Sequence, residues 1–199
     1  MSKRTLDVFL SLGGLVLLFP IFSLIAIWIK ANSAGPVLFR QERVGLGGEP
    51  FRILKFRTMQ LDAERHGRLT IGDDLRVTRA GRFLRRYKLD ELPQLFNVIV
   101  GEMSLVGPRP EPKEYFELYP LEAKRAITSL RPGVTGPGLW LLFKESDLLS
   151  QSADPHRTYI SELIPIKARE IVQYAAHNSV LGDVKIILCT LRKVVSRRH

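Results

Sequence analysis

The chain has 199 residues, with 30 lysines and arginines against 20 aspartates and glutamates, a net charge of +10. That length can bury a real core, and 45% hydrophobic residues exclude a wholly disordered chain. The basic excess points to an anionic partner: nucleic acid, a phosphorylated small molecule or an acidic membrane face. The single cysteine, Cys189, excludes an intramolecular disulfide framework and a Cys-rich zinc site. The four histidines (His66, His156, His177, His199) are too scattered to suggest a metal cluster.

The 22 residues from Val8 to Ile29 carry no charged side chain. As one helix they would reach about 33 Å, enough to span a bilayer. A secretory signal fits the basic start Lys3-Arg4, but the run is longer than an h-region and no small-x-small cleavage site follows it. Pro20 lacks an amide hydrogen and crowds the preceding turn, so it predicts a kink or break. Lys3 and Arg4 flank one end; Lys30, Arg40 and Arg43 flank the other, so both ends read as cytoplasmic. A re-entrant helix turning at Pro20 satisfies both flanks; a kinked single span is the alternative. Asp7, Asn32 and Trp28 then fall near the interface. The expected organisation is a membrane element over 1–34 and a cytoplasmic, membrane-associated domain over 35–199.

Val37–Gln41 and Phe51–Phe56 read as strands joined by the turn Gly45–Gly48, a hairpin. That turn is only superficially a phosphate loop, because no helix follows it. A helix is expected over 58–66 and a polar loop over 67–78. Arg79–Lys88 is basic and amphipathic, and Asp90–Val98 reads as a helix with Pro93 in its first turn. Gly107-Pro108-Arg109-Pro110 is a stiff extended segment. Residues 111–130 form two short helices divided near Pro120, and 131–138 a long irregular loop leading to Trp140. A helix over 155–178 is interrupted near Pro165. Leu181–Val195 is a basic amphipathic helix, suited equally to a membrane interface and to core packing. The predicted fold class is α+β, mainly helical, with a small hairpin, short helices around the site and interfacial helices.

Asp90-Glu91 is the first place with catalytic character, although such a pair often only caps a helix. Its surroundings are basic: Lys55 and Arg57 from the hairpin, Arg82, Arg85, Arg86 and Lys88 just before it, Arg109 between two prolines, and Arg131 before another Pro-Gly. Arginine forks on rigid backbone suit phosphate oxygens. Carboxylates among cations can hold Mg²⁺ against a diphosphate, and an ionised aspartate can attack phosphorus. The constellation suits a diphosphate substrate at a membrane surface.

Several stretches resemble one family, the bacterial sugar transferases (monotopic phosphoglycosyl transferases). They are Gln41-x-Arg43-x-Gly45, Lys55-Phe56-Arg57-Thr58-Met59, Thr78-Arg79-x-Gly81-Arg82-Phe83-Leu84-Arg85, and Leu89-Asp90-Glu91-Leu92-Pro93-Gln94-Leu95. Asn97-Val98, Met103 through Pro110, and Arg131-Pro132-Gly133-Val134-Thr135-Gly136 continue the match in the family's order. The resemblance implies transfer of a sugar 1-phosphate from a UDP-sugar to polyprenyl (undecaprenyl) phosphate, releasing UMP, as the first membrane step of surface glycan synthesis. It implies Asp90 as nucleophile forming a covalent phosphosugar, Glu91 holding Mg²⁺ beside it, and Lys55, Arg85 and Arg109 orienting phosphates. A phosphate role extends to Arg131. It also implies a helix broken at Pro20, the bacterial inner membrane with both termini cytoplasmic, and lipid rather than nucleic acid as partner. The chain reads as a minimal catalytic form; a homodimer stays open.

Two departures stand out. Phe19 replaces the serine that many members carry before the helix-breaking proline, and Gly138 through Lys144 replaces the frequent Gln-Val-x-Gly-Arg continuation. Two other functions compete: a membrane glycosyltransferase releasing UDP, and a non-enzymatic basic membrane-binding module.

Overall fold

The computed structural model describes residues 2–61, 63 and 74–196. Helix α1 (Lys3–Asn32) begins at Ser2, whose hydroxyl accepts from the Thr5 amide, and continues through Pro20 without interruption. The expected break at Pro20 is therefore absent as a gap in the helix. Proline forfeits one amide donor, and a 30-residue helix retains its other bonds. The Ser23 hydroxyl also donates to the Phe19 carbonyl at 3.2 Å.

Both ends of α1 are held by the same folded body. Arg4 donates to the Val98 and Ile99 carbonyls at 2.6 and 2.9 Å. Lys3 bonds the Val106 carbonyl at 3.0 Å and pairs with Asp183. Buried Asp7 accepts from the Ser104 hydroxyl at 2.7 Å and the Leu105 amide at 3.2 Å. At the far end the Arg57 guanidinium donates to the carbonyls of Ser33, Ala34 and Pro36, and Asn32 Oδ1 accepts from the Ala80 amide. Between these anchors Phe22 packs edge-on against Phe56, and Ile25 and Ile29 are buried with Phe56 and Leu84. The other face is bare hydrocarbon: Phe9, Val16, Leu17 and Phe19 are each about 70% exposed or more. Among the described residues α1 is the one helix long and apolar enough to cross a membrane.

The hairpin forms as expected. Strand β1 (Leu38–Val44) pairs antiparallel with β2 (Pro50–Phe56), Leu38 facing Phe56 and Val44 facing Pro50. The helix expected over 58–66 and the start of the polar loop fall largely outside the described residues. Helix α2 (Arg79–Arg86) is capped by Thr78, whose hydroxyl accepts from the Gly81 amide. A Cβ at Gly81 would lie 1.9 Å from the Thr58 carbonyl oxygen, so only glycine lets α2 start there.

The single helix expected over 90–98 is instead two elements. Lys88 takes a left-handed conformation (φ 56°), which turns the chain into a separate 3₁₀ turn, Leu89–Glu91. Pro93 then stands at the N-cap of α3 (Gln94–Val100). Likewise 131–138 is not wholly irregular: β3 (Ser104–Val106) and β4 (Gly133–Thr135) pair in parallel. Three-residue strands carry too little periodicity to read in sequence.

Helices α4 (Lys113–Phe116) and α5 (Leu121–Ser129) divide at Pro120 as expected. Helix α6 (Leu139–Ser150) occupies the departing apolar run. It is followed by α7 (Pro155–Thr158), a π-helical turn (Tyr159–Leu163) and α8 (Ile164–His177), with Pro165 in the first turn of α8. These pack a core around Tyr119, Ile127, Leu149, Leu163 and Ile171. Helix α9 (Val180–Ser196) buries only Asp183 and leaves Leu181, Leu188, Leu191 and Val195 exposed, so it is not a core helix. It is tethered by Asp183, which accepts from Tyr174 at 2.7 Å, and by Thr190, 2.8 Å from Thr135. The whole is mainly helical α+β, as predicted.

Candidate active site

The turn Leu89–Glu91 directs both carboxylates inward: Asp90 is 7% and Glu91 6% exposed. The fate of the two differs. Glu91 takes a bidentate fork from Arg109, 2.7 Å to Oε1 and 3.2 Å to Oε2, and Lys55 approaches Oε1 at 3.4 Å. Asp90 Oδ1 has no hydrogen-bond partner among the described residues. A buried polar atom left unpaired costs about 1–3 kcal/mol. Two further unpaired buried groups lie in the surrounding segments: Gln94 Nε2, one helical turn on, and Arg43 Nε. Buried polar groups are normally satisfied, so the open Asp90 oxygen marks a place able to receive something polar.

Each cation reaches the pair from a different element. Lys55 lies near the end of β2, Arg85 in the last turn of α2, and Arg109 in the extended segment after β3. The Arg109 segment is fixed on both sides: Arg43 Nη1 donates to the Pro110 carbonyl at 3.0 Å, and the Val44 amide to the Glu111 carbonyl at 3.0 Å. The stiffness expected of Gly107–Pro110 is thus reinforced by the hairpin.

Burial, and then the neighbouring Glu91 charge, push the Asp90 carboxyl above its ordinary range, with Lys55 opposing. Burial pushes Glu91 the same way, but Arg109 and Lys55 outweigh it and hold this carboxyl well below the usual range. Burial also brings Lys55 down to about 8, against the pull of Glu91. Desolvation lowers Arg85 while Asp90 raises it. The turn therefore separates two adjacent carboxylates by role: Glu91 is neutralised by cations, and Asp90 keeps a higher proton affinity and an open oxygen.

Arg131 lies elsewhere. It is exposed, and its Nε donates at 2.9 Å to the carbonyl of Gly101, the C-cap of α3. Arg57, the hairpin arginine counted among the pair's basic surroundings, instead holds the exit of α1. Arg43 acts electrostatically on Lys55 and Glu91, and its one sequence signal is its place inside the Gln41-x-Arg43 motif. Glu111 was missed. It is buried behind Arg109 and bonded by Tyr119, Tyr159 and Lys167 at 3.1, 3.3 and 3.2 Å. Lys167 also pairs with Glu145 at 2.9 Å. A cleft beside Arg109 runs between Gly133–Leu139 and the side chains of Glu145, Lys167 and Glu170.

Among the described residues no group of three or more His, Cys, Asp or Glu side chains could hold a metal. Mg²⁺, however, typically takes one or two carboxylates and completes its shell with water and substrate phosphates. The unpartnered Asp90 oxygen fits that donor set, and Glu91 would join it once Arg109 turns from it to a substrate phosphate.

A family model described as "Bacterial sugar transferase" matches residues 1–197. A UDP-glucose:undecaprenyl-phosphate glucose-1-phosphate transferase of Caulobacter vibrioides is 48% identical over 200 residues, covering 98% of this chain and 70% of that protein. The exopolysaccharide production protein ExoY of Sinorhizobium fredii is 39% identical over 213 residues, covering 99% and 87%. A UDP-N-acetylgalactosamine-undecaprenyl-phosphate N-acetylgalactosaminephosphotransferase of Aeromonas hydrophila is 37% identical over 199 residues, covering 98% and 44%. The chain spans less than half the length of several such relatives. With residues 1–197 matching the family's model and the chain's Asp-Glu-Leu-Pro-Gln and Pro-Arg-Pro segments converging on one buried carboxylate pair, the chain belongs to the bacterial sugar transferases.

Proposed function

We propose that the chain transfers a sugar 1-phosphate from a UDP-sugar to polyprenyl phosphate, working from the cytoplasmic face of the bacterial inner membrane. The observation that carries this reading is the unpartnered, buried oxygen of Asp90 beside a Glu91 already occupied by Arg109 and Lys55. An Asp90 oxygen attacks the sugar-bearing phosphorus, a phosphorus–oxygen bond forms, and the bond to the uridine monophosphate oxygen breaks. UMP leaves with that electron pair. A phosphate oxygen of the polyprenyl acceptor then attacks the same phosphorus, and the Asp90 carboxylate departs. The raised proton affinity of Asp90 favours it as nucleophile over Glu91.

Arg109, Lys55 and Arg85 meet phosphate oxygens, and Glu91 keeps Arg109 and Lys55 in place between turnovers. Asp90 and Glu91 would hold Mg²⁺, which supplies neutralisation of diphosphate charge. Membrane placement rests on α1. Its two ends meet one folded body and its apolar face is bare, which supports a placement with both flanks on one side of the bilayer.

The test uses donor labelled in the sugar. Wild type is expected to retain label after denaturation and to release UMP; Asp90→Asn is expected to lose both, with turnover down by about a thousandfold or more and membrane recovery unchanged. Wild-type turnover by Asp90→Asn, or UDP as product, rejects the mechanism.

A further inference from the structure

Helix α2 carries side chains that the site described above does not use. Arg82 and Arg86 are one helical turn apart, as are Phe83 and Tyr87, so the four share one side of the helix. Arg82, Phe83 and Arg86 are exposed. Trp28 of α1 meets Phe83 edge-on at 5.3 Å between ring centroids, and Phe83 meets Tyr87 at 4.8 Å. The Arg86 guanidinium lies 5.8 Å from the Tyr87 centroid. An aromatic ladder thus runs from the bare face of α1, where Leu24 and Ile27 are each 67% exposed, to within three residues of Asp90.

An exposed aromatic row flanked by arginines fits a ligand with a long apolar chain and an anionic head. Resting on the transferase reading, we infer that this face of α2 is the acceptor subsite. The isoprenoid chain lies over Trp28 and Phe83, and its terminal phosphate is taken by Arg82 and Arg86. The same chemistry could serve a membrane lipid headgroup alone. The direction of the ladder favours the acceptor: it leads to the catalytic turn, and Arg85 of the same helix already faces Asp90 and Glu91 electrostatically. The phosphate can then be passed from the outer arginines toward Asp90 along one helix.

Phe83→Leu, Phe83→Ala and the double variant Arg82→Gln/Arg86→Gln separate the cases in the full chain, reconstituted in phospholipid nanodiscs. A panel of UDP-hexoses and UDP-N-acetylhexosamines supplies the donor and undecaprenyl phosphate the acceptor. The expected result for the arginine variant is an unchanged UMP burst without acceptor, unchanged membrane recovery, and a KM for undecaprenyl phosphate raised about tenfold. Phe83→Ala is expected to raise the same KM, and Phe83→Leu to restore most of it. An unchanged acceptor KM overturns the subsite. So does a burst that falls in parallel with it, which would place the face with the donor. Loss of membrane recovery, with normal acceptor KM in detergent micelles, would assign the face to lipid headgroups and overturn it too. Absence of any UMP burst from wild type is a separate result, and it rejects the transferase reading itself.

Discussion

Glu111 and Asp90 are both buried carboxylates in basic surroundings, yet they have opposite fates. Glu111 is bonded by two tyrosines and a lysine, and although burial pushes its carboxyl up, Lys167 and Arg43 bring it below the ordinary range. Asp90 is desolvated too, and Glu91 adds to that push; Lys55, which also bonds Glu91, opposes both, but the Asp90 carboxyl stays above the ordinary range. Burial is common to both; what differs is whether the bonds are filled. A filled buried carboxylate ties elements together, here α4–α5, α8 and the Arg109 segment. An open one keeps its basicity for a substrate.

The comparison breaks most visibly at Asp90. Alongside its loss of turnover, Asp90→Asn is expected to hold or raise the thermal midpoint at pH 7. The amide carries no charge to desolvate and none to repel Glu91. A midpoint lowered by several degrees would mean that Asp90 is tied down after all.

The complementary variant is Glu111→Gln. It strips the charge that holds Lys167 and leaves a buried ammonium short of one anionic partner, with Glu145 and the neutral Tyr159 hydroxyl remaining. Breaking such a buried pair costs about 3 kcal/mol. Denaturant unfolding is expected to show that loss, with a reduced turnover because Arg109 loses the support behind it. Stability equal to wild type would remove the structural half of the contrast.

Lys55 gives a smaller, pH-dependent effect. Buried and brought down to about 8, it is charged below that value and neutral above it. In the proposed role its ammonium meets donor phosphate, so kcat/KM is expected to fall about tenfold per unit above about pH 8. Lys55→Arg keeps its charge and moves that limb upward. The sign for folding is opposite. Between about 8 and the ordinary 10.5 the unfolded chain holds the extra proton, so the penalty from burying this group fades as pH rises through that window. A profile flat to pH 10 in both wild type and Lys55→Arg would remove Lys55 from phosphate binding.

Much of this was legible in the sequence because local rules decide it. Turn chemistry gave the hairpin at Gly45–Gly48, prolines placed the divisions at 120 and 165, and motif order brought Lys55, Asp90, Glu91 and Arg109 together. What was not legible depends on tertiary contacts. Pro20 predicts a break, yet α1 runs on, its start tied by Arg4 to the Val98 and Ile99 carbonyls and the carbonyls just past its end held by Arg57. Lys88 in a left-handed conformation carries no side-chain signature that would divide 90–98. The parallel pair β3–β4 depends on glycines that let backbones touch: a Cβ on Gly136 would lie 1.9 Å from the Gly107 carbonyl oxygen. Glu111 drew no notice because its partners come from 119, 159 and 167.

Arg131 illustrates the same limit and supplies the smallest expected effect. Next to Pro132-Gly133 it has the sequence look of the Arg109 segment, a guanidinium on stiff backbone. The backbone does approach the site, since a Cβ on Gly107 would lie 2.2 Å from the Arg131 carbonyl oxygen. The side chain goes the other way, into solvent and onto the Gly101 carbonyl at the end of α3. Helix carbonyls there carry partial negative charge, and an exposed cation on them contributes only about 0.3–1 kcal/mol. Arg131→Ala is therefore expected to change kcat/KM for the UDP-sugar by no more than about twofold and to cost a few tenths of a kcal/mol in unfolding. A loss approaching that of Arg109→Ala would show that the guanidinium swings inward when donor is bound, and would return Arg131 to the phosphate site.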